Sequence, residues 1–350
     1  MSTRPPAGPT AKGVLDVEGS VRTVCGDVDP DELGPTNYHE HVFQSAPLLQ
    51  GDELTDVDAG ARELADLPRT GFAAVVDATP IGLGRRPAEL PNVAQRAGVQ
   101  LVGTTGRHRD AQYRDQPAWL HPSTEDLAAI FVRELTESMA AEDGDYLRRP
   151  LSEVPMARHG DRSVPAGVLK AGIDYWSISP AEHRVLEGVA AAHRATGAPV
   201  MVHTERCTAA HEVLDLLGDQ GVHESRVCLA HADRNPDAGL HVELAARGAF
   251  LGHDGAGRAK DWPDAVLVDC IEQIAIAGYL DKVLLGNDVA RRTRYRAYGG
   301  MPGLAYLGER FVPRLRQRLG DTLTERILTN PGRWLAWRHI GEEGGSPWGE

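Results

Sequence analysis

The sequence predicts an α/β protein, a closed (β/α)8 TIM barrel with a short N-terminal β-hairpin. Three observations lead there. Short β-branched runs alternate with segments of helical periodicity along almost the whole 350-residue chain. The connections are short, which implies parallel strands joined by right-handed crossovers. Eight such units fit a closed barrel better than an open sheet.

In chain order, residues 1–12 are Pro-rich and carry no apolar run, so they read as a disordered leader and not a signal peptide. Gly13–Gly34 reads as the hairpin, with Val21–Val24 on one arm. The eight strands are expected at Thr36–Phe43, Phe72–Thr79, Val99–Gly106, Ala166–Ile173, Pro199–Glu205, Arg226–Asp233, Ala249–Asp254 and Lys282–Asp288. Helical periodicity covers Thr124–Met139, Ala181–Thr196, Ala209–Leu217 and Asp264–Leu280. Ser123-Thr124-Glu125-Asp126 has the form of a helix start, and Gly197, Gly221 and Gly248 the form of helix stops. Gly144–Pro165, rich in Pro, Arg and Asp, reads as an inserted surface loop. Residues 13–340 are expected to form one domain, and the Gly-rich 341–350 a flexible tail.

Composition narrows the function. The 37 basic residues against 50 acidic ones give a net charge of −13. Nucleic-acid and membrane-surface binding both need a basic footprint, so neither is expected. No apolar stretch is long enough to span a bilayer. Four cysteines without a CxxC pair read as reduced thiols of a cytoplasmic protein. Only four basic residues are lysines: Lys12, Lys170, Lys260 and Lys282.

The ionisable residues cluster at the C-terminal ends of the expected strands, which in a parallel barrel converge on one mouth. Strand one ends His39-Glu40-His41, and period-2 geometry puts both histidines on one side. Strand four carries Lys170, strand five ends in His203, strand six in His231, and strand eight in Asp288. Taken singly, a strand histidine is ordinarily a hydrogen-bonded core residue, an aspartate can cap a helix and a lysine can snorkel. Five strands delivering ligand-type groups to one end make a metal site the economical explanation. His183, His193, His211, His223 and His241 lie on helical or loop segments, where exposure is the default. His108, His121 and His253 sit near strand ends and could face the mouth.

With those residues placed, the chain resembles the phosphotriesterase family of the amidohydrolase superfamily, closest in pattern to its sugar-lactonase-like members. The resemblance runs from about Gly19 to Trp337. It rests on Thr36–His41, Ala166–Gly172, Val202–Glu205, Ala230–Asp233, Leu285–Asp288 and the late Asn330-Pro331. It implies two divalent metals, zinc by family habit with manganese, cobalt or iron as alternatives. His39, His41 and Asp288 would hold one and His203 and His231 the other. Lys170, carboxylated by CO2, would bridge both. A metal-bridging hydroxide would be the nucleophile and Asp288 the proton acceptor. Asp233 and Asp254 would orient ligands or relay the proton, with turn and cap roles as the plain alternative. Family members are often homodimers.

Two features depart from the pattern. Where phosphotriesterases proper carry a shuttle histidine, this chain has Gly255, which weakens an organophosphate role. The insert at 144–165 is long for the family. After Asp288 the loop reads Val-Ala-Arg-Arg-Thr-Arg-Tyr-Arg-Ala-Tyr, and arginine forks suit carboxylate or phosphate. By resemblance, Arg291, Arg292, Tyr295 and Tyr298 would hold the anionic end of a small-molecule substrate, with Tyr113 and His108 helping. Salt bridging to the acidic surface is the plain alternative. The expected activity is hydrolysis of a small anionic lactone or carboxylic ester, including phosphorylated sugar lactones. The alternatives are a phosphotriester or phosphodiester hydrolase, an amidase of a small N-acyl compound, and a metal-dependent binding protein without turnover.

Overall fold

The computed structural model describes residues 19–338. The expected leader and tail, residues 13–18 of the hairpin segment, and His339 lie outside the described residues. Within them the chain opens with the antiparallel hairpin of β1 (Val21–Thr23) and β2 (Gly26–Val28). The strands β3 (Thr36–Glu40), β4 (Ala74–Asp77) and β5 (Gln100–Val102) form one parallel sheet. A second contains β6 (Thr104–Gly106), β9 (Val168–Gly172), β10 (Val200–His203), β11 (Val227–Ala230), β12 (Phe250–His253) and β13 (Val283–Leu285).

The two sheets are one barrel wall. β5 and β6 are the halves of a single strand broken at Gly103, whose carbonyl takes the Gly167 N–H at 2.8 Å. At the other seam the Asp288 N–H reaches the His39 carbonyl at 3.1 Å, joining the last strand's end to the first strand. The result is the expected TIM barrel. Gly106 is required where β6 meets β9: its φ is +107°, and a Cβ there would lie 2.0 Å from the Lys170 carbonyl oxygen.

Alternation along the strands builds two layers. Tyr38, Val76, Val102, Val168, Met201, Cys228, Phe250 and Leu284, one from each barrel strand, pack together inside. Val75, Leu101, Leu169, Val200, Leu229, Leu251 and Val283 pack outward against the helices. The described helices are α1 (Val57–Leu64), α2 (Asp66–Arg69), α3 (Leu90–Ala97), α4 (Thr124–Thr136), α5 (Pro180–Thr196), α6 (Ala210–Asp219), α7 (Ala238–Ala246), α8 (Asp264–Ile276), α9 (Val312–Leu319) and α10 (Asp321–Leu335). Ser123 caps α4 at the Asp126 N–H, and Ser179 and Glu182 form a reciprocal capping box on α5. Gly197 ends α5 in the left-handed region. Asn330 in α10 donates to the carbonyls of Leu280 and Val283, both at 2.9 Å, and so anchors the start of β13.

Three expectations change. The strands end earlier than the sequence patterns, so His41, Thr79, Glu205, His231 and Asp288 sit just beyond the ladders where the strands diverge at the mouth. The 144–165 insert is not plain loop. It contains the short antiparallel pair β7 (Arg158–His159) and β8 (Arg162–Ser163). His193 and His241 are buried, not exposed: each finds a backbone carbonyl, Ala198 at 2.7 Å and Ala232 at 3.0 Å. Cys207, Cys228 and Cys270 are buried, Cys25 is half-buried, and all four are free. No described helix is long and apolar enough to cross a membrane.

Candidate metal centre

Five histidines form a continuous row across the barrel mouth. Ring centroids run from His41 to His39 at 5.4 Å, to His231 at 4.9 Å, to His203 at 4.5 Å, and to His108 at 4.2 Å. Asp288 closes the row from the last strand, its Oδ1 lying 3.4 Å from His41 Nε2 and 3.9 Å from His39 Nε2. Burial pulls the His39 imidazole down to about 3, with the Lys170 charge adding to the effect. Burial likewise holds His203 and His108 well below the usual value and lowers His231. Neutral imidazoles are the form that ligates metal. Burial alone would raise the Asp288 carboxyl, but Arg258 and the hydrogen bond from His41 hold it well below the ordinary range.

Each imidazole is oriented from behind. Asp254 receives His231 Nδ1 at 2.7 Å on one oxygen and His39 Nδ1 at 3.1 Å on the other, which leaves both Nε2 atoms for the cavity. His41 Nδ1 meets Thr79 Oγ1 at 2.7 Å, and that hydroxyl donates to Asp77 at 2.8 Å. His203 Nε2 is taken by Glu205 at 2.8 Å, while its Nδ1 is buried without a hydrogen-bond partner among the described residues. From the outer face Glu40 accepts the Val289 N–H at 3.1 Å, tying down the turn after Asp288, and burial raises its carboxyl to about 8. His231 and Asp288 both have positive φ, 65° and 40°, a conformation tolerated where a site over-determines it.

Lys170 lies fully buried behind this wall, its Nζ donating to the Ala78 carbonyl at 2.7 Å. Among the described residues it forms no ion pair, and burial pulls its amine down to about 8. A buried amine with a substantial neutral fraction is the form that combines with CO2. The donor set therefore fits divalent metal. Among the described residues, His39, His41 and Asp288 form one metal-capable group, and the orphaned His203 Nδ1 is a further free ligand atom. The second such group, His39 with His231 and Asp254, is the hydrogen-bonded set in which Asp254 orients the rings.

The row lines a pocket of about 180 Å3. Its wall carries four arginines, Arg109, Arg234, Arg258 and Arg291, against two carboxylates, Glu205 and Asp288. Of these only Arg291 is expected from the sequence. His108, also expected from the sequence, lines the pocket. Arg292, Tyr295, Tyr298 and Tyr113 lie off the lining. Arg292 stacks over Tyr298 at 5.1 Å, and the Tyr298 hydroxyl takes the Asp56 N–H at 2.9 Å. The Tyr295 hydroxyl donates to the His41 carbonyl at 2.6 Å from a buried position. The Tyr113 hydroxyl donates to Ile81 and accepts the His108 N–H. Asp233 sits beside Gly255, whose N–H it accepts at 2.8 Å, and burial with the nearby Asp254 charge raises its carboxyl to about 7. Asp77, Thr79, Glu40 and Tyr38 were missed, since none stands out from an ordinary strand residue without the fold.

Ligand-type imidazoles and a carboxylate at the C-terminal mouth of a (β/α)8 barrel define a metal-dependent barrel hydrolase. The chain belongs to the phosphotriesterase family, whose sequence model matches residues 19–144 and 156–335. That family is binuclear and metal-dependent. The match skips 145–155, which narrows the insert. A phospho-furanose lactonase of Mycoplasmopsis synoviae is 29% identical over 333 residues, covering 90% of this chain and 91% of that protein. The crystal structure of a lactonase from Listeria monocytogenes superposes with a TM-score of 0.80 at 28% identity, covering 91% of this chain and 100% of that one. A phosphotriesterase homology protein from Escherichia coli, with phosphate in its active site, gives 0.74 at 26% identity over 88% of this chain and 100% of that one.

Proposed function

We propose that this protein is a binuclear metal-dependent lactonase acting on a small anionic sugar lactone, phosphorylated lactones being the leading candidates. The observation that carries the anionic substrate is the wall of four arginines against two carboxylates, in a chain whose net charge is −13. The lactonase relatives support the ester chemistry. His39, His41 and Asp288 would hold one metal, His203 and His231 the other, and carboxylated Lys170 would bridge them. When bound, the pair supplies Lewis-acid polarisation of the carbonyl and activation of water at neutral pH.

The chain's own residues do the rest. Arg291 and Arg258 bind the anionic end, each guanidinium having N–H donors to spare beyond its present carboxylate partner. Asp288 Oδ2, which Arg234 holds at 2.8 Å from the pocket side, accepts the proton of the attacking water and passes it toward the leaving ring oxygen. Asp254, Thr79 and Glu205 hold the imidazoles in place. Zinc is the expected metal, in a cytoplasmic homodimer. The test is a screen of the zinc-loaded protein on phosphorylated and neutral sugar lactones, aryl phosphotriesters and N-acyl amines. Fastest turnover of an anionic lactone supports the reading; faster turnover of a phosphotriester or an amide overturns it.

A further inference from the structure

We propose that Tyr38 is a positioning residue for both halves of the metal centre, acting through Asp254. The inference rests on the metal-centre reading above. Strict strand alternation would turn Tyr38 away from the side His39 faces. The register of β3 against β4 shifts between Asn37 and Glu40, and this irregularity lets two consecutive residues face the barrel interior. Their rings meet edge to face at 5.5 Å. Tyr38 is fully closed to solvent, and its hydroxyl donates to Oδ2 of Asp254.

That contact depends on a second residue. Position 252, across the barrel on β12, is glycine, and a Cβ there would lie 2.0 Å from the Tyr38 hydroxyl oxygen. The missing side chain is the space through which the hydroxyl reaches Asp254. On the same carboxylate, Oδ2 receives His39 and Oδ1 receives His231. These are ligands of different metals in the proposed centre, so one carboxylate orients one ligand of each. The carboxylate's own torsion is soft. Tyr38 adds a fixed third side-chain donor, set by a ring that cannot move in a packed barrel. Removing the hydroxyl loosens Asp254 and therefore both imidazoles together.

The experiment compares Tyr38→Phe and Gly252→Ala with wild type. Each protein is stripped by a chelator and titrated with zinc against a chromophoric competitor, alongside thermal melting of the metal-free form. Both substitutions are expected to weaken zinc at both positions by about 10–100-fold, the range for lost support behind a ligand. The metal-free Tyr38→Phe protein is expected to stay folded and to melt a few degrees below wild type, as for any lost buried hydrogen bond, whereas a purely structural role would show that loss alone with zinc affinity unchanged. Wild-type affinity at both positions in Tyr38→Phe overturns the proposal, and so does weakening at one position alone. If Gly252→Ala does not fold, Tyr38→Phe decides by itself. A wild-type protein that takes up no zinc overturns the metal-centre reading instead, and is told apart by that result.

Discussion

His41 Nε2 and Asp288 Oδ1, from the two ends of the chain's barrel, lie 3.4 Å apart across the seam between the first and last strands. Asp288 is held well below the ordinary carboxylate range there by Arg258 and the histidines, and it is the residue proposed as both ligand and proton acceptor. Asp288→Asn is expected to lower kcat/KM by about 10³-fold, some 4 kcal/mol, and to reduce bound zinc. Steady-state kinetics with metal analysis checks this. Activity within tenfold of wild type would remove Asp288 from both roles.

Lys170 supplies a second test. Lys170→Ala is expected to lose the metal pair and its activity, with partial recovery when zinc is supplied with a short carboxylic acid such as acetate. Full activity without the added acid would rule out a carboxylated bridge. Because Lys170 is a buried amine with no ion pair among the described residues, Lys170→Met is expected to leave the metal-free melting temperature unchanged or raised.

Arg291 and Tyr295 occupy one loop and are expected to behave differently. Arg291→Ala is expected to raise KM for anionic lactones about tenfold, the loss of one charge-assisted contact, and to leave neutral lactones unaffected. Tyr295→Phe deletes the hydrogen bond to the His41 carbonyl and is expected to cost about 1 kcal/mol of stability with little change in KM. Equal KM effects on neutral and anionic substrates would count against the arginine assignment.

Arg85 and Glu134 form a two-pronged ion pair, 2.9 and 3.0 Å, with both side chains closed to solvent, and Asp143 joins the same guanidinium at 2.8 Å. Burial alone would raise the Glu134 carboxyl, but Arg85 overrides it and the carboxyl ends below its usual 4.5. Its stabilising contribution is therefore present above pH 4.5 and lost as pH falls through the depressed value. Asp143 behaves oppositely, because burial outweighs Arg85 there and raises it, so it takes up its proton first and does not share this loss. Glu134→Ala is expected to cost about 3 kcal/mol at pH 7 by stripping the buried Arg85 of its two-pronged partner and leaving Asp143 as its remaining carboxylate. Urea unfolding at pH 7 and pH 4 measures both effects. A difference between wild type and variant that does not shrink at pH 4 would contradict the linkage.

The sequence carried the barrel and the outline of the site because both are written in short-range patterns. Alternating runs, helix caps at Ser123 and Ser179, and ligand-type residues at the strand ends are local signals. The early strand ends and the small sheet within the insert were not legible, since they depend on how neighbouring strands diverge at the mouth. Asp77, Thr79 and Glu40 were invisible for a related reason: their partners come from other strands or from the turn after β13.

By itself the sequence determined the fold class, and it supplied the barrel end and the six residues proposed as the metal site. The tertiary structure alone decided which long side chains face the pocket. It brought in Arg109, Arg234 and Arg258 from turns of unremarkable sequence and turned Tyr295 inward to a backbone carbonyl. A flexible side chain has no direction of its own along the chain. Its direction is set by the carboxylates and carbonyls that distant strands present, and only the folded barrel places those.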